Sequence, residues 1–81
     1  MIVVEVRVVG YGSLFSWLAS GEKGEIVTLA AEASVADLIR KTGIPDQEIW
    51  LITVNAKKAS LDQVLHDGDE VRLFSPLGGG S

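Results

Sequence analysis

Residues 2–9 alternate in character along the chain. Ile2, Val4, Val6 and Val8 share one face, with Glu5 and Arg7 on the other. A period of two is the mark of a half-buried strand. Gly10-Tyr11-Gly12 breaks the pattern. Ser13 to Ser20 then reads as a short helix, with Ser13 as its cap, Leu14, Phe15, Trp17 and Leu18 as apolar surface and Gly21 as its end. Gly21-Glu22-Lys23-Gly24 is a turn. Glu25 to Leu29 is a second strand, since Ile26, Val27, Thr28 and Leu29 favour extended backbone. Two strands joined by a brief excursion predict an antiparallel pair.

The clearest helix start is Ser34-Val35-Ala36-Asp37. The Ser34 hydroxyl can accept from an early helical N–H, and Asp37 stands where a capping box needs it. Val35, Leu38 and Ile39 share a face, Arg40 and Lys41 suit the negative end of the helix dipole, Gly43 is a fitting left-handed terminus and Pro45 blocks continuation. Ile49 to Val54 is a third strand, with Trp50, Ile52 and Val54 on one face and Thr53 on the other. Asn55-Ala56-Lys57-Lys58 is a turn. Leu61, Val64 and Leu65 form one turn of helix or an irregular segment packed under the sheet. Asp67-Gly68-Asp69 is a tight turn. Glu70 to Phe74 is the last strand, with Val71 and Leu73 inward and Arg72 and Phe74 outward.

This order is strand, short helix, strand, main helix, strand, turn, strand. Placing the first and last strands side by side mid-sheet, with the main helix across one face, buries each of these apolar stripes. The expected fold is α+β, a β-grasp with a mixed sheet of roughly four to five strands and one main helix. Parallel pairing of the terminal strands is an expectation of that fold. Residues 1–74 form the domain, and residues 75–81 form a flexible glycine tail.

Composition narrows the functional classes. The 81 residues allow one small domain, and a 47% hydrophobic content argues against disorder. The chain has no cysteine, which removes disulfides, thiolate metal sites and a cysteine nucleophile, and fits a reducing, cytoplasmic setting. The N-terminal apolar run is too short and too interrupted by Glu5 and Arg7 for a signal peptide or a membrane span. A net charge of −4 speaks against nucleic acid and fits a basic protein partner. His66 is the single histidine, so a metal centre is not expected, and the spacing of Asp67, Asp69 and Glu70 is not that of a calcium loop. The Gly-x-Gly at Gly10-Tyr11-Gly12 lacks the continuation that a phosphate loop needs. Lys57 and Lys58 either touch an anionic substrate held by a partner or form a solvated turn.

The chain end carries the strongest chemical hint. Ser75-Pro76-Leu77-Gly78-Gly79-Gly80-Ser81 directly follows the last strand. Glycines have no Cβ, so such a tail can thread a narrow channel and deliver a backbone carboxylate to a reactive group. A Gly-Gly-Gly-Ser end also has the composition of a flexible linker. Phe74 is the best candidate for a partner contact; its alternative is packing against Trp50 or Phe15 of the same chain. Arg72 beside it suits an acidic groove on a partner or solvent.

Taken together, Val54-Asn55, Leu65-His66-Asp67-Gly68-Asp69-Glu70-Val71 and Phe74-Ser75-Pro76-Leu77-Gly78-Gly79-Gly80 resemble the small sulfur-carrier subunit of molybdopterin synthase, in the ubiquitin-like sulfur-carrier family. The resemblance spans nearly the whole chain. It implies a carrier without catalysis of its own and without a cofactor. A ubiquitin-activating-type enzyme adenylates the terminal glycine with ATP, the acyl-adenylate becomes a thiocarboxylate, and the large synthase subunit takes the sulfur into molybdopterin. Carried over by position, Gly80 bears the sulfur and Gly79 is its neighbour, while Arg72, Phe74, Pro76, Leu77 and Gly78 meet the partner.

The tail departs from the family in two places. Ser75 stands where a first proline is common, which leaves Pro76 alone to stiffen the segment. Ser81 lies beyond the glycine that would react, so the role requires its removal, by a protease, or the carboxyl end is used differently. The thiazole-forming carrier of thiamine synthesis has a similar ending but a shorter connection between its first strands. A ubiquitin-like protein modifier and a pure interaction module are further readings.

Overall fold

A computed structural model describes residues 2–12 and 24–75. Five strands make one sheet: β1 (Val3–Tyr11), β2 (Glu25–Ala30), β3 (Leu51–Val54), β4 (Lys57–Lys58) and β5 (Glu70–Phe74), in the spatial order β2-β1-β5-β3-β4. β1 and β5 run parallel at the centre, and the β1–β2, β3–β5 and β3–β4 pairs are antiparallel. One helix, α1 (Val35–Thr42), covers a single face. The mixed sheet, the single main helix and the parallel terminal strands are those of the β-grasp expected above.

The alternation of β1 sets the core. Val4, Val6 and Val8 point to the helix side, joined by Val71 and Leu73 of β5 and by Ile52 and Val54 of β3. Val35, Leu38 and Ile39 of α1 pack onto them and are buried. Fully burying one such side chain is worth about 1.5–3 kcal/mol, so a domain this small draws its stability from nearly every apolar stripe.

Several local expectations need correction. Gly10 and Tyr11 do not break β1; they pair with Leu73 and Phe74, because the parallel neighbour continues the ladder past the end of the valine pattern. Ile2 lies beyond the paired residues and is exposed. Trp50 is not a core residue and is 62% exposed, since β3 begins only at Leu51, after a 3-10 turn at Asp46–Glu48. Lys57 and Lys58 are a short strand, not part of the turn. Asn55 and Ala56 alone make the reversal, with φ of 53° and 70°, as a two-residue hairpin with left-handed backbone at both positions requires. Leu61 and Val64 are exposed, and only Leu65 of that group is buried. The proposed Ser13–Ser20 helix and most of the Gly21–Gly24 turn lie outside the described residues.

The irregular segment before Leu65 has a definite task. Its carbonyls at Gln63 and Leu61 accept from the Val35 and Ala36 N–H groups, both at 2.9 Å. These are helix-start donors with no partner inside the helix. The Asp37 N–H donates to Ser34 Oγ at 3.2 Å, and the Ser34 N–H donates to Asp37 Oδ2 at 3.0 Å. Replacing Ser34 with Ala should therefore lower stability by about 1 kcal/mol, read by chemical denaturation. The Ser34 backbone N–H above all, then its hydroxyl, hold the Asp37 carboxyl below the usual aspartate pKa. A group whose pKa is depressed by folding stabilises the fold above its unfolded value. That contribution should fade as the pH falls below the ordinary aspartate range, and Asp37→Asn should flatten this part of the acid titration.

Candidate functional site

β5 leads straight into the glycine tail, so the residues around its C-terminal end define how the tail leaves the body. Phe74 lies between two strands there. Its carbonyl accepts from the Trp50 N–H at 2.7 Å, and its register partners are Leu51 on β3 and Tyr11 on β1. Its ring stacks on Tyr11, with centroids 4.8 Å apart and planes 7° from parallel. Near-parallel stacking of this kind adds about 0.5–1.5 kcal/mol beyond the area that it buries. The partner of Phe74 within the chain is therefore Tyr11, not Trp50; Phe15 lies outside the described residues.

Gly12 completes this exit. Its φ is +67°, and a Cβ placed on it would collide with Ser75 Oγ and come within 3.3 Å of Ser75 Cβ. Glycine is needed there twice, for the left-handed backbone and for the close approach of the chain that becomes the tail. The Gly-x-Gly motif thus has a structural use unrelated to phosphate. Sequence reasoning missed Tyr11 and Gly12 as site residues, because the signal that reveals them is the parallel register of β1 on β5.

Arg72 points to the same outward face. Its Nη2 meets Glu70 Oε1 at 3.3 Å, while its Nε and the Oγ1 of its register partner Thr53 are buried without a hydrogen-bond partner among the described residues. Arg72, Phe74, Tyr11 and Leu51 make a mixed cationic and apolar ledge beside the exit. Pro76, Leu77, Gly78, Gly79 and Gly80 lie outside the described residues. On the helix side, Trp50, Ile49, Ile39 and Leu61 line a groove of about 220 Å³.

The other motif pieces hold the opposite end of β5. Asp69 Oδ1 accepts from Asn55 Nδ2 at 2.9 Å, and Asp69 Oδ2 accepts from the His66 N–H at 2.8 Å. Asn55 Oδ1 accepts from the Glu70 N–H at 3.0 Å, and Asp67 Oδ1 accepts from the Glu5 N–H at 2.8 Å. Val54-Asn55 and the 65–71 stretch are thus one knot that ties β1, the β3–β4 turn and β5 together. Lys57 and Lys58 are exposed on the edge strand. Among the described residues, no group of three or more His, Asp or Glu side chains is placed to hold a metal ion, and no helix is long and apolar enough to cross a membrane.

Known proteins agree with this architecture. Residues 2–76 match the family model of the Mut7-C ubiquitin domain. A Pyrococcus furiosus protein described as molybdopterin converting factor subunit 1 is 30% identical, with a TM-score of 0.71, over 91% of this chain and 99% of that one. Small archaeal modifier protein 1 of Haloferax volcanii is 19% identical with a TM-score of 0.74, again over 91% and 99% of the two chains, and supports the fold alone. No curated protein sequence matches at a comparable level. With its sheet order, its helix across one face and a family match over nearly its whole length, the chain belongs to the Mut7-C ubiquitin family, and its fold is that of the ubiquitin-like β-grasp sulfur carriers and modifiers.

Proposed function

We propose that this protein is a sulfur carrier activated at the Gly80 carboxylate after loss of Ser81, and that it donates sulfur in molybdopterin synthesis. The observation that carries the reading is the placement of the tail. Its first residue, Ser75, directly follows the central strand β5 and the Tyr11–Phe74 stack, and in the sequence three glycines precede Ser81. The 30% identity to the Pyrococcus furiosus protein supports the molybdopterin branch over the thiazole one.

The chemistry follows from the carboxylate. As an anion it is a poor electrophile. When it attacks the α-phosphorus of ATP, pyrophosphate leaves and the acyl carbon gains AMP as a good leaving group. A hydrosulfide equivalent then attacks that carbon, AMP departs, and the product is the thiocarboxylate. Acid, base and metal ion belong to the activating enzyme, so the carrier need only present its end. Ser75 to Gly80, fully extended, reach roughly 20 Å, enough to enter a partner's active site while Arg72 and Phe74 dock outside it. In this reading residues 75–81 deliver the carboxylate and residues 1–74 are the docked body.

Mass spectrometry after incubation with ATP, the cognate activating enzyme and a sulfur source tests the proposal. The Gly80-ending form should gain the mass difference between sulfur and oxygen. If neither that form nor the full chain gains it with competent partners present, the carrier reading is wrong. Isopeptide-linked adducts ending at Gly80 would instead identify a protein modifier.

A further inference from the structure

We propose that Tyr11 and Gly12 are positioning residues that aim the tail, a role that rests on the carrier reading above. Neither residue touches the reacting carboxylate. They act on the two residues from which the tail springs, through two separate contacts. The Tyr11 ring stacks on Phe74 with its plane only 7° from parallel, on the outward face of the sheet. That contact fixes the Phe74 side chain, while the Trp50 N–H fixes its carbonyl from the other flank at 2.7 Å. The missing side chain of Gly12 then lets Ser75 pass against the end of β1.

A tail pinned on both sides at its root samples a narrower cone of directions than one hung from a free strand end. The gain lies in orientation. Holding a reacting group in line converts a slow encounter into a nearly unimolecular step, and small misplacements far from the reacting atoms can cost large factors in rate. Loss of the clamp should therefore lower the turnover of the docked complex. Docking weakens as well, because Tyr11 belongs to the ledge and Phe74 loses its ring partner, so the mark of the clamp is a fall in turnover beyond any loss of binding.

The test compares wild type, Tyr11→Ala, Tyr11→Phe and Tyr11→Leu, each ending at Gly80, in ATP–pyrophosphate exchange with the cognate activating enzyme. Backbone 15N relaxation of Ser75 is measured on the same samples. Tyr11→Ala should lower kcat about tenfold, beyond any rise in KM from the altered ledge, and Ser75 should gain fast motion. Tyr11→Phe keeps the ring and should restore both quantities. Tyr11→Leu keeps apolar bulk without a flat ring, so it stands in for Tyr11→Ala if that variant does not fold. A loss confined to KM, or a Tyr11→Ala protein with unchanged kcat and unchanged Ser75 relaxation, overturns the proposal. If the wild type shows no exchange at all, the carrier reading fails first. The clamp is then judged on relaxation alone, where an unaltered Ser75 in both Tyr11→Ala and Tyr11→Leu overturns it.

Discussion

A chain ending at Leu77 is expected to fold as well as the full-length protein and to gain no thiocarboxylate. Residues 78–81 are three glycines and a serine, with no apolar side chain to contribute to a core. Their removal should leave the thermal midpoint within about 4 °C, since a change that takes away no apolar core side chain stays within roughly 0.5 kcal/mol. Chemistry should respond very differently. The shortened end lacks Gly80, the proposed site of adenylation, and its new terminus would stop several ångströms short of a partner's reactive centre. Exchange of pyrophosphate into ATP should fall below about a thousandth of its full value, while binding of the body to the activating enzyme persists. Calorimetry with the enzyme would measure that binding separately. An interaction module that is never activated would keep its full function after this truncation, and that result would exclude the carrier.

The second large effect is on stability. Asp69→Ala should destabilise the domain by about 2–4 kcal/mol. Asp69 is an ionised acceptor with a side chain only 13% exposed, and it satisfies donors on Asn55 and His66 at 2.9 and 2.8 Å. A hydrogen bond to a charged group contributes about 1.5–3 kcal/mol, and donors left unmatched in a half-buried site add a desolvation cost. Asn55 loses its anchor at the same time, and with it the orientation of the oxygen that receives the Glu70 N–H. For a domain with about 5–10 kcal/mol in total, the midpoint should drop by roughly 10–25 °C. Thermal and urea unfolding monitored by circular dichroism would measure it. Asp69→Asn keeps one acceptor oxygen and should cost less. An Asp69→Ala protein as stable as wild type would mean that the knot is not what holds β5 to the β3–β4 turn.

These two results concern opposite ends of one strand. The start of β5 is tied to the β3–β4 turn through Asn55 and Asp69, and at its finish Phe74 stacks on Tyr11 while Ser75 passes close to Gly12. A tail that must be presented at a partner's active site needs such a root, since motion at the root is multiplied along the arm. The motif pieces that resemble the sulfur-carrier family therefore divide into two kinds. The Asp-Gly-Asp-Glu stretch maintains the platform, and the aromatic, proline and glycines carry the proposed chemistry.

Much of this was legible along the chain, because it depends on neighbours within a few residues. The Ser34–Asp37 capping box, the glycine terminus at Gly43, the tight turn with Gly68 in left-handed backbone and the valine alternation of β1 are local, and the structure has each of them. Chain order and apolar faces were enough to reach the β-grasp. What remained hidden depends on register between distant segments. Trp50 has the parity of a core residue, yet it stands ahead of the first β3 ladder pair, with too little around it to cover an indole. Lys57 and Lys58 resemble a solvated turn until the two-residue reversal at Asn55-Ala56 brings them beside Val54 and Thr53. Gly10-Tyr11-Gly12 looks like an interruption until β5 runs parallel to it, and then Tyr11 meets Phe74 across 63 positions of sequence. By itself, the sequence determined the main helix with its caps, the apolar faces of the first and last strands and the glycine composition of the chain end, because backbone preference and side-chain polarity act locally. Only the tertiary structure decided what stands beside the last residues of β5, Tyr11 against Phe74 and Gly12 against Ser75, because both depend on pairing the first strand with the last.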